Sequence, residues 1–311
     1  MDLFLINLLH GLSYGLLLFM LTSGLTLVFS LMGVLNFAHA SFYMLGAYFS
    51  YFLVPYIGFF GALLVAPLLV AGIGMLIERF MLRRAHRFGH VAELLLTFGV
   101  ALLLEEGVKL IWGKASVPYR FPAWLDAPLF SAGTTQFPLY KGLIALLAIT
   151  IVLTLYFLVQ RTRIGLVIRA ALTNPGMVEA LGHNVPRVLM AIFGLGAGLA
   201  ALAGAVGGAA FVTEPSMALA VGAIIFVICV LGGMGSLVGA FVASFIIALV
   251  QTFAVGIEMS LADGFALLGV ALPDWPLADM TLARMAPIAP FFLMVLVLVV
   301  RPSGLFKEKI S

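Results

Sequence analysis

Charge is what this sequence has least of. Asp, Glu, Lys and Arg together make up 9% of its 311 residues, against roughly 25% in a soluble domain. So few charges cannot cover a water-facing surface of this size, which excludes an ordinary soluble fold. Cysteine is nearly absent too. Cys229 stands alone in an apolar run, so an internal disulfide is ruled out and a small core side chain is its reading. No G-x-x-x-x-G-K-[ST] phosphate loop occurs, and the glycine cluster GGMGSLVGA at 232–240 has no lysine, so the chain lacks that cradle for ATP. None of His10, His86, His90 and His183 stands at metal-ligand spacing from His39. No Ser/His/Asp arrangement falls in one site, so a membrane enzyme has little support.

Apolar residues dominate what is there, at 64% of the chain. They fall in runs near 6–31, 36–54, 58–78, 92–113, 140–160, 189–212, 217–234, 237–257 and 286–300, most of them near the 20 or so residues a helix needs to cross a bilayer. The first is too long, and too weakly charged at its front, for a cleaved signal peptide. The stretch 261–272 is too short to cross alone and reads as re-entrant or interfacial. The fold class is therefore all-α, a polytopic transmembrane helical bundle of eight to nine spans in one domain, 1–311, embedded in the lipid bilayer.

Basic residues orient it. Arg79, Arg83, Arg84 and Arg87 share one loop, Arg161, Arg163, Arg169 and Arg187 a second, and Arg301, Lys307 and Lys309 end the chain. Alternating spans put all three on one face, which the positive-inside rule makes cytoplasmic. The N-terminus is then outside and the C-terminus inside, in a cytoplasmic membrane. The net charge of +3 reflects this topology, not nucleic-acid binding. Loop 114–138, with Tyr119 and Trp124, belongs to the outer interface.

The largest cytoplasmic segment is 161–188. Asn174 followed by Pro175 reads as a helix start, and Gly182 is placed to end that helix. Met177, Val178 and Leu181 are expected on one side of it. Two isolated turns are unstable in water, so this helix lies against its own membrane helices, or against lipid, or serves as a peg for another subunit.

Here the residues carry a resemblance. Gly165, Arg169-Ala170, Asn174-Pro175, Ala180, Gly182 and Arg187 are similar to the cytoplasmic coupling loop of ABC importer permeases. GLTLVFSLMGVLNFAHASFYMLGAY at 24–48, LGGMGSLVGAFVAS at 231–244 and RPSGLF at 301–306 resemble the Liv-type branched-chain amino-acid permease family. The similarity runs over nearly the whole length, and Met177-Val178-Glu179 is a departure within the coupling segment. The resemblance implies a permease paired with a second permease subunit, as a heterodimer, and docked on two cytoplasmic ATPase subunits. An extracytoplasmic binding protein would deliver leucine, isoleucine, valine or another small hydrophobic amino acid. ATP and Mg would sit on the partners and no cofactor on this chain. Arg169, Asn174, Pro175, Met177, Glu179, Leu181, Gly182 and Arg187 are the expected coupling residues.

Two glycine-bearing breaks, at 32–41 and 232–236, interrupt helix pairs that run in the same sense, as two parallel repeats with broken-helix hairpins. They are either midplane breaks facing a path or ordinary cytoplasmic turns; depth decides, and sequence does not fix depth. Asn36, His39 and Ser41 in the first, with Gly232, Gly233, Gly235 and Ser236 in the second, are the expected pathway residues, joined by Thr97. For each polar side chain an interhelical hydrogen bond is the competing role. Glu105 and Glu106 would suit a coupling ion, but Lys109 stands at helix spacing from both. A self-sufficient secondary transporter or channel is the alternative, and it would need such a site.

Overall fold

The first helix, α1 (Asp2–Met32), is apolar on every side, as a helix packed among protein and lipid must be. The computed structural model describes residues 2–132, 135–256, 259–260, 262–263 and 280–306. The stretch 261–272 and the terminal Lys307 and Lys309 fall almost wholly outside them.

After residues 33–38 leave helical geometry, α2 (His39–Ile77) follows, and it is two helices in series. Gly58 takes φ +71° and ψ 171°, a conformation that glycine adopts without steric cost, and the chain turns back there. Packing on α8 (Val185–Ala210) demonstrates the reversal. Tyr43 meets Gly204 and Ala47 meets Gly208, so the first half runs parallel to α8. Pro67 meets Gly198 and Met75 meets Gly194, so the second half runs antiparallel. At the turn, Phe59 and Phe60 contact the rings of Phe121 and Trp124, with centroids 5.5 and 5.8 Å apart.

A π-helical turn (Glu78–Leu82), a single α-turn, α3 (Arg83–Ala85), and a 3-10 turn (His86–Phe88) make an elbow into α4 (His90–Trp112). The next loop holds an antiparallel hairpin, β1 (Pro128–Ala132) with β2 (Thr135–Pro138). This hairpin is a small addition to an otherwise helical fold. Tyr119, expected at the outer interface, is instead buried, its hydroxyl donating to Ala205 O at 2.6 Å; Trp124 is exposed. Then come α5 (Leu139–Arg161), α6 (Arg163–Thr173), α7 (Pro175–Ala180), α8, α9 (Met217–Gly232), α10 (Leu237–Gly256), α11 (Leu282–Met285) and α12 (Ala289–Val300).

Among the described residues, five helices are long and apolar enough to cross a membrane, one of them the reversing α2. Each of the nine apolar runs is a helix or half of one. The core lies along α8, whose glycines and alanines between Gly194 and Gly208 are largely buried. A methyl group at Gly46 would collide with the backbone of Ala201, and one at Gly204 with the carbonyl of Tyr43. Leaving lipid for another apolar helix gains little, so close backbone approach and dispersion contacts do the holding.

Candidate functional site

The first break lies inside the bundle. His39 Nε2 is 2.9 Å from Leu21 O, and its ring abuts Gly24 of α1. Gly24 stands about two turns, roughly 12 Å at 1.5 Å per residue, before α1 ends. Phe37 N donates to Thr97 Oγ1 at 3.2 Å, and Ser41 Oγ to Ala101 O at 3.4 Å, both well inside α4. Asn36 Oδ1 accepts from Ala38 N at 3.1 Å, closing the turn that starts α2. Asn36, His39, Ser41 and Thr97 are thus brought together, all 3% exposed or less. They bind the break to α1 and α4, which is how irregular backbone survives at membrane depth. His39 Nδ1 alone among them is buried with no partner.

The second break is built differently and sits at the end of the bundle. Gly232 and Gly239 touch backbone to backbone, closing α9 and α10 into a hairpin. Ser236 Oγ accepts from Gly239 N at 3.0 Å and caps α10. Leu305 N donates to Leu231 O at 2.9 Å and Phe306 N to Gly232 O at 3.1 Å, so RPSGLF satisfies the last carbonyls of α9. Gly233, φ +99°, leaves space that a Cβ would deny to Phe306. Gly235 and Ser236 line a cavity of about 420 Å³ with Leu27, Tyr156 and Phe241. This break is separate from the Asn36 cluster.

The 161–188 segment forms α6, α7 and the start of α8, each opened by a side-chain cap. Thr162 Oγ1 accepts from Gly165 N at 3.1 Å, Asn174 Oδ1 from Met177 N at 3.4 Å, and Asn184 Oδ1 from Arg187 N at 3.0 Å. Pro175 opens α7, and Gly182 at φ +87° ends its turn, with His183 N donating back to Val178 O at 3.2 Å. Val178 turns inward onto Ala171 and Val185, while Met177 and Leu181 are 60% and 74% exposed. Val178 therefore leaves the face expected for it, because one helical step of 100° parts it from Met177. Arg169 reaches back to Gln160 Oε1 at 3.3 Å. Glu179 and Arg187 are exposed, and Glu179 borders a cavity of about 440 Å³ that Glu78 and Arg83 also line.

Several charged residues of the long helices and the elbow have partners. Lys109 Nζ is 2.8 Å from both Glu105 and Glu106. Buried Glu93 accepts from His86 and His90 across the elbow. Buried Glu78 pairs with Arg83 at 2.7 Å, and Arg83 also donates to Pro186 O at 2.8 Å. Among the described residues no cluster of His, Cys, Asp and Glu could hold a metal. Lys141 and His10, hydrogen-bonded to each other at the opposite end of the bundle, were not singled out from sequence. The signal was Lys141 itself, a basic residue within an apolar run.

A family model described as "Branched-chain amino acid transport system / permease component" matches residues 7–298. The high-affinity branched-chain amino acid transport system permease protein LivH of Escherichia coli K12 is 28% identical over 97% of this chain and 95% of its own length. BraD of Pseudomonas aeruginosa, of the same description, is 24% identical over 96% and 94%. LivM of Escherichia coli K12 is 28% identical over 68% of this chain and 55% of its own length. No solved structure matches. With nearly its full length matched and its apolar runs folded into a multi-pass helical bundle, the chain belongs to the branched-chain amino acid transport system permease family.

Proposed function

We propose that this chain is a permease subunit of an ATP-driven importer, passing branched-chain amino acids that an extracytoplasmic binding protein delivers. It sits in a cytoplasmic membrane, N-terminus out, beside a second permease subunit and above two cytoplasmic ATPase subunits. Family membership supports the transport role, and similarity to both LivH and LivM fits a pair of related permeases. The observation that carries the coupling role is α7. It is capped at both ends and seated by Val178, and it presents Met177 and Leu181 to solvent while Arg83 ties the start of α8 to the elbow. Exposed apolar side chains on a rigid base suit insertion into a groove of a soluble partner. Movement there would reach α8, and through α8 both halves of α2 and the Asn36–His39 break. The secondary-transporter alternative loses its best coupling site, because Lys109 engages both Glu105 and Glu106.

The test is purification with bound partners, followed by uptake of L-leucine into proteoliposomes. Wild type should retain an ATPase and take up leucine only with ATP inside the equivalent cytoplasmic compartment. Met177→Asp/Leu181→Asp should lose the ATPase while keeping its elution profile. Uptake by the isolated chain without ATP would overturn the proposal.

A further inference from the structure

At the end opposite α7 a cavity has a buried cation in its wall. It encloses about 810 Å³ between the N-terminal parts of α1 and α5, the end of α8, α9, the end of α10 and the start of α12. Small-molecule sites occupy about 300–1,000 Å³. Leu17, Ile144, Ile224 and Val255 give it an apolar wall, and the described residues that line it include no Asp or Glu.

Lys141 is 8% exposed, and among the described residues it is the only buried Lys or Arg. Buried charges are ordinarily paired with an opposite charge, because desolvating one alone costs several kcal/mol. The other two buried charged side chains follow that rule: Glu78 has Arg83, and Glu93 has its histidines. Lys141 has the neutral acceptor face of His10 Nδ1 and the ring of Phe137, its Nζ 5.2 Å from the centroid. No carboxylate of the described residues pairs with it. On the same cavity, Gln251 Oε1 is buried and accepts no hydrogen bond from the described residues, a state that leaves desolvation uncompensated. Among the described residues, then, a cation without an anion and an acceptor without a donor line one largely apolar chamber.

We infer that this cavity is an entry subsite for an α-amino carboxylate, Lys141 holding the carboxylate, Gln251 Oε1 accepting from the ammonium, and the wall of Leu17, Ile144 and Ile224 covering an aliphatic side chain. The substrate identity rests on the proposed import function; the carboxylate chemistry rests on the cavity alone. Lys141 becomes a specificity determinant: removing the carboxylate from a ligand, or the charge from Lys141, removes the same charge-assisted hydrogen bond. Such a bond contributes about tenfold or more in affinity.

The probes are 4-methylpentanoate, which keeps leucine's carboxylate and chain, and 3-methylbutylamine, which keeps its amine and chain. Both are added at tens of millimolar to the purified assembly without binding protein, and the melting temperature is read. Wild type and Lys141→Arg should be stabilised more by 4-methylpentanoate than by the amine, and Lys141→Met should lose that advantage of the carboxylate. No shift of wild type by the carboxylate, an equal shift by the amine, or an undiminished shift in Lys141→Met would each overturn the inference. Should Lys141→Met not fold, Gln251→Leu serves instead. It should keep the 4-methylpentanoate shift and lose the extra shift given by L-leucine, and retention of that extra shift counts against the site. Leucine uptake by wild type is scored separately, so failure of import and failure of the subsite are told apart.

Discussion

Arg83 holds three acceptors at once: Glu78 Oε1 at 3.2 Å, Glu78 Oε2 at 2.7 Å and Pro186 O at 2.8 Å. Glu78 is 2% exposed, so losing the guanidinium strands a buried carboxylate. Arg83→Met should destabilise the protein by about 2–3 kcal/mol, and adding Glu78→Leu should restore most of it, because a pair removed whole leaves no orphan charge. Thermal melting of wild type, both single variants and the double closes the cycle; equal losses in Arg83→Met and the double would refute it. Sequence showed Arg83 only as one of a basic cluster. Its partner lies five residues back, off the i, i+3 and i, i+4 spacings of an α-helix, and the π-turn Glu78–Leu82 is what brings the two together. Lys109 stands three and four residues from its glutamates, and that pairing was legible. Lys141 and Gln251 line one cavity because α1 packs against both α5 and α10, which no local pattern announces.

Among the elements, those with chemical punctuation were readable and those without it were not. Asn174-Pro175 and Gly182 fix α7 by local hydrogen bonds and one left-handed residue, so its limits came from sequence nearly to the residue. The Gly58 reversal had only a gap between apolar runs to mark it. Neither break's depth could be read, because depth depends on which residues of α1 and α4 the segment meets. α8 depends on shape where α7 depends on caps. Gly204→Leu should cost about 3 kcal/mol or more by overpacking against Tyr43, whereas Gly72→Leu, with nothing within 4 Å of its added Cβ, should stay within about 0.5 kcal/mol. Yield and melting temperature of the two variants in detergent measure the contrast; similar behaviour would argue against the parallel and antiparallel seating of α2 on α8.

For the whole molecule, the proposed import role gives the two ends of the bundle opposite tasks, and orientation is the property that assigns them. The native Cys229 is 3% exposed, so single cysteines can be introduced against a silent background. Leu181→Cys should react with a membrane-impermeant maleimide only in inverted vesicles, and Trp124→Cys only from the outside of intact cells. The reverse pattern would invert the topology and place the Lys141 chamber inside. The charge asymmetry on which this expected topology rests was legible in the sequence. How the runs interlock was not, since an all-round apolar helix has no face to declare.

The reversal at Gly58 has a consequence for how the chain is made. The halves of α2 are joined by a single non-helical residue, so no hydrophilic tether can pause between them, and they enter the bilayer as one unit. The glycines they meet, Gly194, Gly198, Gly204 and Gly208, belong to a helix synthesised more than a hundred residues later. Until α8 emerges, the surfaces of α2 around Tyr43, Ala47, Pro67 and Met75 lack their partner, and its arrival must displace what covers them. Assembly is therefore a late event, completed by a strand of sequence that finds its berth already laid down.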